Sequence, residues 1–322
     1  MRSILVTNKY SEDVLKIVRE HVRGEFELLL ADGSPEAALR LAPEADYMLA
    51  GGRMPVDEAL LCAATRLRMI QRSGVGLDAI DLEGLKRHGV PLYVNPGVNA
   101  QSVAEHTVML VLAALKNLGI VNENVHNGVF IKQPQGLKNH ELCGKRVLIV
   151  GMGNIGRRVA AMLRPFGARL FYNDIIGPVP AEVEAQLGLT HLEREVMFHD
   201  ADVIVLNCRL SDQTRHIVNA DSLRGMKRGV VIVNTARGGL IDEAALAEGL
   251  RDGKVGAAGL DVYEQEPIRP DNPLCAFRNV VMTSHIAGVT FESFNAMMEA
   301  AIGNIRLYDR GEAAQIADRR VV

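Results

Sequence analysis

The 322 residues hold no run of like charge, no apolar stretch long enough to cross a bilayer, and no closely spaced cysteines. Lysine and arginine number 36 against 39 acidic residues, a formal net charge of −3. Nucleic-acid and anionic-membrane binding therefore have no electrostatic support. The opening Met1-Arg2-Ser3-Ile4-Leu5-Val6-Thr7-Asn8 has too short an apolar stretch for a signal peptide. The most apolar segment, Thr107 to Leu115, stops at Lys116, at roughly half the ~20 residues a spanning helix needs. Cys62, Cys143, Cys208 and Cys275 form no CxxC pair, and the nine histidines show no HExxH spacing. Neither a disulfide framework nor a metal centre is expected, and reduced thiols fit a cytoplasmic protein.

What is present is enough apolar material, 48% of residues, to bury a sizeable core, in a chain long enough for two domains. Up to Val94, short apolar runs (Ile4 to Val6, Phe26 to Leu30, Tyr47 to Leu49, Met69-Ile70, Leu92 to Val94) alternate with amphipathic stretches. Those stretches are Glu12 to Val22, Pro35 to Leu41, Val56 to Ala64 and Asp78 to Arg87. Such alternation builds a parallel sheet with helices on both faces, here a small flavodoxin-like domain. Ser102-Val103-Ala104-Glu105 reads as a capping box with Ser102 as N-cap, opening an apolar helix to about Leu118. Residues 119–144 are polar and aperiodic, an arm or linker. A second alternation starts at Lys145, with strands expected at Arg146 to Val150, Arg169 to Tyr172, Val203 to Leu206, Val230 to Val233 and Val280 to Met282. Glu292 to Leu307 reads as a closing helix, with nothing after it to build a further regulatory domain.

The second alternation carries the first chemical signal. Gly151-Met152-Gly153-Asn154-Ile155-Gly156 follows an apolar strand and opens a helix. In that setting the glycines permit a tight turn, a close approach to a pyrophosphate, and helix–strand packing, with the phosphates on the unpaired N–H groups of the helix start. Asp174 ends the next strand, eighteen residues after Gly156. A carboxylate there accepts from a ribose 2′-hydroxyl and repels a 2′-phosphate, which favours NAD over NADP.

Three further segments follow in order: Asn234 to Gly239 (NTARGG), Leu260 to Pro267 (LDVYEQEP) and Thr283 to Gly288 (TSHIAG). With the dinucleotide fingerprint and the loop Ser73-Gly74-Val75-Gly76-Leu77-Asp78, they resemble the signature segments of the D-isomer-specific 2-hydroxyacid dehydrogenases, phosphoglycerate dehydrogenases among them. The resemblance runs over nearly the whole chain. It implies Arg237 as the arginine that grips substrate, His285 as the acid/base and Glu266 as its carboxylate partner, with Glu264 as a nearby competitor for that place.

The residue types suit the chemistry. Hydride addition to a ketone leaves negative charge on oxygen that a histidine can protonate, a neighbouring carboxylate orients the ring, and arginine forks onto a substrate carboxylate. The resemblance also implies Asn154, Ile155, Thr235, Ala236, Asp261 and Gly288 at the cofactor, and Val75 and Gly76 at the substrate carboxylate. Arg53 reads equally as a substrate contact or as part of a surface turn, and Arg53 and Arg72 together suggest a substrate with a second polar or anionic group. Two positions depart from the family pattern: Arg209 stands where proline is usual in a loop bordering the cofactor, and Ser284 where proline commonly precedes the histidine.

The expected architecture is therefore two doubly wound α/β domains. Residues 1–99 with 290–322 form the substrate-binding domain, and 100–289 an inserted Rossmann NAD-binding domain, with the site in the cleft. The long helix and arm after Asn99 imply a homodimer, by the same resemblance. The expected activity is hydride transfer between NAD(H) and C2 of a small D-2-hydroxy or 2-oxo acid of phosphoglycerate, glycerate/hydroxypyruvate or glyoxylate type. Two other classes use the same fold: NAD-binding corepressor-like scaffolds, and formate dehydrogenases, whose pattern has glutamine where Glu266 stands.

Overall fold

Strands covered by helices on both faces read as continuous apolar runs, and most strands of this chain are of that kind. In the computed structural model, which describes residues 1–52 and 54–322, the chain divides into two units: Met1–Asn99 with Phe291–Val322, and Ala100–Thr290. Arg53 lies outside the described residues.

The first unit is a five-stranded parallel sheet of β1 (Ser3–Val6), β2 (Glu27–Leu30), β3 (Tyr47–Ala50), β4 (Met69–Arg72) and β5 (Leu92–Tyr93), in the order β2-β1-β3-β4-β5. This is the flavodoxin-like order. All four residues of β1, β3 and β4 are buried. The connecting helices start where the side chains of Ser34, Asp57 and Asp81 accept a backbone N–H of the first turn. The closing helix Phe291–Asp309 adds Met298, Ala301, Ile302 and Ile305 to a core with Ile4, Tyr47 and Met69. Its buried Asn304 amide donates to Gln71 Oε1 (2.9 Å) and to Asn95 Oδ1 (2.8 Å), which holds the helix in register with the sheet.

The second unit has seven parallel strands: β6 (Arg146–Val150), β7 (Arg169–Asn173), β8 (Leu189–His191), β9 (Val203–Leu206), β10 (Val230–Asn234), β11 (Val255–Leu260) and β12 (Val280–Met282). Their order is β12-β11-β10-β9-β6-β7-β8. The winding reverses between β6 and β9, and in open parallel sheets ligands bind outside the carboxyl ends of the strands at such a reversal.

Three sequence expectations change here. Ser102 is not an N-cap: the helix spans Ala100–Leu115, so Ser102 lies within its first turn, buried, and its hydroxyl donates to Ala287 O at 2.7 Å. A tertiary acceptor has taken the hydroxyl that capping would have used. Residues 119–144, expected as an aperiodic arm or linker, contain helix: Asn117, at φ 49°, turns the chain into Leu118–His126. Strands β8 and β11 carry no strong apolar signal. In β11, Val-Gly-Ala-Ala-Gly-Leu, the small residues answer to packing: a Cβ on Gly259 would stand 2.8 Å from Leu110 Cβ, and one on Gly256 2.7 Å from Gly229 O. The helix Ala100–Leu115 lies so close on β11 that only glycine fits beneath Leu110.

That close approach predicts a cost for any side chain at this point. Gly259→Val should lower unfolding free energy by about 1–3 kcal/mol, the usual range for overpacking a filled core, as read from urea denaturation.

Candidate active site

The glycine-rich turn after β6 is built by contacts that exclude side chains. Gly151 adopts φ 98°, and a Cβ there would meet Cys208 N at 2.6 Å; one on Gly156 would meet Gly151 O at 2.1 Å. Gly153, by contrast, has no heavy atom within 4 Å of its Cβ position. It precedes the helix Asn154–Leu163, whose first turn receives no side-chain cap. The first N–H groups of a helix have no partner inside it, and together with the positive end of its dipole they suit a phosphate.

Asp174 stands beside this turn. Its Oδ2 accepts from Met152 N at 2.6 Å and its Oδ1 from Ile176 N at 3.0 Å. A carboxylate has about four acceptor sites, so it can still receive ribose hydroxyls. Asn207, after β9 at the reversal, has both side-chain polar atoms buried without a hydrogen-bond partner. Sequence reading did not single it out; a polar residue closing an apolar strand at the reversal is the signal that finds it. These open donors and orphaned polar atoms fit a dinucleotide, and Arg209 in the same loop is exposed.

The other residues come from the carboxyl ends of three adjacent strands, β10, β11 and β12. Beyond β10, the buried Asn234 side chain accepts from Ala236 N (3.0 Å) and donates to Arg237 O (2.9 Å), fixing the turn that presents Thr235, Ala236 and Arg237. Thr235 is buried, its hydroxyl 2.7 Å from that of Thr107, and Arg237 Nη1 donates to Ala236 O at 2.7 Å. A Cβ on Gly238 would lie 1.9 Å from the Tyr263 carbonyl, so glycine alone lets the Arg237 turn lie on the Tyr263 turn.

Beyond β11 and β12, the sequence candidates meet directly. His285 Nδ1 is 2.7 Å from Glu266 Oε2, while Glu266 Oε1 accepts from Tyr263 N at 2.9 Å. The Glu266 side chain is 12% exposed and that of His285 44%, an oriented imidazole with an accessible edge. With Nδ1–H given to the carboxylate, Nε2 is the nitrogen left to exchange a proton. The competitor Glu264 pairs instead with His216.

His285 has φ 58°, a left-handed conformation that costs a non-glycine residue about 1–3 kcal/mol and persists only where its surroundings impose it. Asp261 imposes it. This fully buried carboxylate accepts from Ile286 N (2.9 Å), Ala287 N (2.9 Å) and the Thr283 hydroxyl (2.5 Å), while Asp261 O accepts from His285 N at 2.8 Å. His106 Nε2 reaches the same Thr283 hydroxyl at 3.0 Å. Ser284, in the place of proline, therefore does not leave His285 unsupported. Asp261 thus lies beneath the loop, supporting His285 and its neighbours, and Gly288 lies within that loop.

Val75 and Gly76 belong to the first unit. Val75 is exposed, and Gly76 O accepts from Arg72 Nε at 2.8 Å. Arg72 is buried and also donates to Gly52 O at 2.7 Å, so it braces two turns.

A family model described as D-isomer specific 2-hydroxyacid dehydrogenase, NAD binding domain, matches residues 108–287. The chain is 34% identical to a glyoxylate reductase of Aeropyrum pernix, over 99% of its own length and 96% of that protein's. It is 37% identical to a hydroxypyruvate reductase of Thermotoga maritima, over 84% of this chain and 86% of the other. In structure it resembles the D-lactate dehydrogenase of Aquifex aeolicus, complexed with NAD and lactic acid, with a TM-score of 0.87, 26% identity and 99% coverage of each chain.

The Asp261 cluster yields a direct expectation. In Asp261→Asn one acceptor becomes a donor facing either the Thr283 and Ile286 side or the Ala287 amide, and a buried group left unsatisfied costs about 1–3 kcal/mol. Urea denaturation should register that loss.

Proposed function

Because this chain belongs to the D-isomer-specific 2-hydroxyacid dehydrogenases, an NAD-dependent family acting at a CH–OH carbon, we propose that it interconverts a small D-2-hydroxy acid and its 2-oxo acid, of glyoxylate or hydroxypyruvate size. The observation that carries this reading is the oriented pair of His285 and Glu266, at 2.7 Å, beyond neighbouring strands of a dinucleotide-binding sheet. The bound nicotinamide supplies the hydride for reduction and accepts it in oxidation. Gly151, Gly153, Asn154, Ile155 and Gly156 would hold the pyrophosphate, Asp174 would receive the ribose hydroxyls, and Thr235, Ala236 and Gly288 would border the rest of the cofactor.

As charge grows on the substrate oxygen, His285 Nε2 gives up its proton, and Glu266 keeps the ring aligned through Nδ1. Arg237 grips the carboxylate as a planar fork. Glyoxylate and hydroxypyruvate are favoured over a phosphorylated acid because a glyoxylate reductase and a hydroxypyruvate reductase are among the relatives that this chain matches over 96% and 86% of their length.

His285→Ala should lower kcat by about 10²–10⁴-fold, the range for lost general acid–base catalysis, with NADH binding nearly unchanged. Arg237→Ala should raise KM for the oxo acid as well as lower kcat. A panel of glyoxylate, hydroxypyruvate, pyruvate and phosphohydroxypyruvate, followed by NADH absorbance, decides the substrate. Full activity in His285→Ala would sink the mechanism, and fastest turnover of phosphohydroxypyruvate would sink the choice of acid.

We also propose that the chain works as a homodimer. The helix Leu118–His126 buries none of its side chains, and after it Phe130 and Leu137 are 85% and 86% exposed. Neighbouring exposed apolar groups of this kind mark an interaction face. Analytical ultracentrifugation should show twice the monomer mass, and Phe130→Asp with Leu137→Asp should shift it to monomer.

A further inference from the structure

Two short helices of the first unit, Glu58–Ala63 and Leu82–His88, bring together three metal-ligating side chains that the proposed reaction does not use. Glu58 and Cys62 are one turn apart on the first helix, so they share a face. His88 closes the second helix and places Nε2 2.8 Å from Glu58 Oε1, and Cys62 Sγ is 3.5 Å from the same oxygen. All three donor atoms lie within 4.8 Å of one another. Gly84 leaves room at this contact: a Cβ there would be 2.5 Å from Oδ2 of the helix's own cap Asp81 and 3.1 Å from Leu61 Cδ1 on the facing helix. Side-chain caps from Asp57 and Asp81 fix where each helix begins.

Around a tetrahedral zinc ion, oxygen, nitrogen and sulfur donors at about 2.0–2.3 Å stand about 3.3–3.7 Å apart. The spacing between Glu58 and Cys62 already fits, and His88 Nε2, now hydrogen-bonded to Glu58 at 2.8 Å, lies within 4.8 Å of Cys62 Sγ, within reach of a side-chain rotation. We propose that Glu58, Cys62 and His88 form a binding site for a borderline-soft divalent cation of the zinc class, bridging the two helices.

One sulfur, one nitrogen and one oxygen is a set that zinc accepts, whereas calcium and magnesium take oxygen ligands. On binding, the Cys62 S–H bond breaks, its proton passes to water and a sulfur–metal bond forms; His88 binds as the neutral imidazole, and no electron is transferred. The thiolate and the Glu58 carboxylate then balance the two positive charges of the ion. Arg87 donates to Glu58 Oε2 at 2.6 Å and leaves Oε1 facing the other two donors; Asp81 lies 3.5 Å from the Arg87 guanidinium and offsets its charge. All three ligands are exposed, so a water can fill the fourth position.

Cobalt(II) tests the site, because a cobalt–thiolate bond has a charge-transfer band in the near ultraviolet. Titration of the whole chain should saturate that band at one equivalent, and zinc should abolish it. The band should persist in Cys143→Ser and Cys275→Ser and be lost in both Cys62→Ser and His88→Ala. Zinc should raise the melting temperature of the parent protein by mass action and leave that of Cys62→Ser unmoved. NADH-dependent turnover of Cys62→Ser, unchanged in metal-free buffer, confirms that the variant is folded. No band in the parent protein, or an undiminished band in Cys62→Ser, overturns the proposal.

Discussion

The buried carboxylate of Asp261 is the constraint on which the geometry around His285 depends. A carboxylate removed from water is tolerated only if its oxygens find donors, and here two backbone amides and a hydroxyl supply them. Satisfying that carboxylate curls the chain after β12 around it. The curl forces His285 into a left-handed conformation, and this directs the ring to Glu266. Ser102 and His106, both on the helix Ala100–Leu115, secure the same loop from a second side, through Ala287 O and the Thr283 hydroxyl. The role proposed for His285 requires that its ring keep one orientation, and the hydrogen bonds of this loop impose one.

Close backbone approach is the second theme of the unit. Gly151 and Gly156 at the nucleotide turn, Gly238 under the Arg237 turn, and Gly259 under Leu110 each occupy a place where a Cβ would overlap a neighbour. The turn bearing Arg237 and the one bearing Tyr263 can therefore touch through their backbones, and the Glu266 side chain folds back onto Tyr263 N and His285. The two turns are placed by strand adjacency: β10, β11 and β12 are neighbours in the sheet, although Arg237, Glu266 and His285 are far apart in sequence.

Much of this was legible beforehand because it rests on local pattern. Buried strands such as Val203–Leu206 and amphipathic helices such as Glu12–Val22 carry their period in the residues themselves. What escaped was set by partners distant in sequence. β11 has glycine and alanine where a strand usually has branched residues, and the reason is Leu110. Ser102 has the sequence of a cap and the structure of a tertiary donor. Arg72 reads in the sequence only as a basic residue near the loop, and its hydrogen bonds to the carbonyls of Gly76 and Gly52 come from the fold. Asn207 was passed over because an orphaned amide becomes conspicuous only once its surroundings are known.

By itself the sequence determined the class of fold, the dinucleotide turn and the residue types available for acid–base chemistry, since helix and strand periods, glycine spacing and side-chain chemistry are local properties. Only the tertiary structure decided that Glu266, not Glu264, meets His285, that Asp261 lies beneath the loop, and that Glu58, Cys62 and His88 converge on one surface. Those are matters of distance between segments remote along the chain, and distance is settled by which strands pair and which helices can approach.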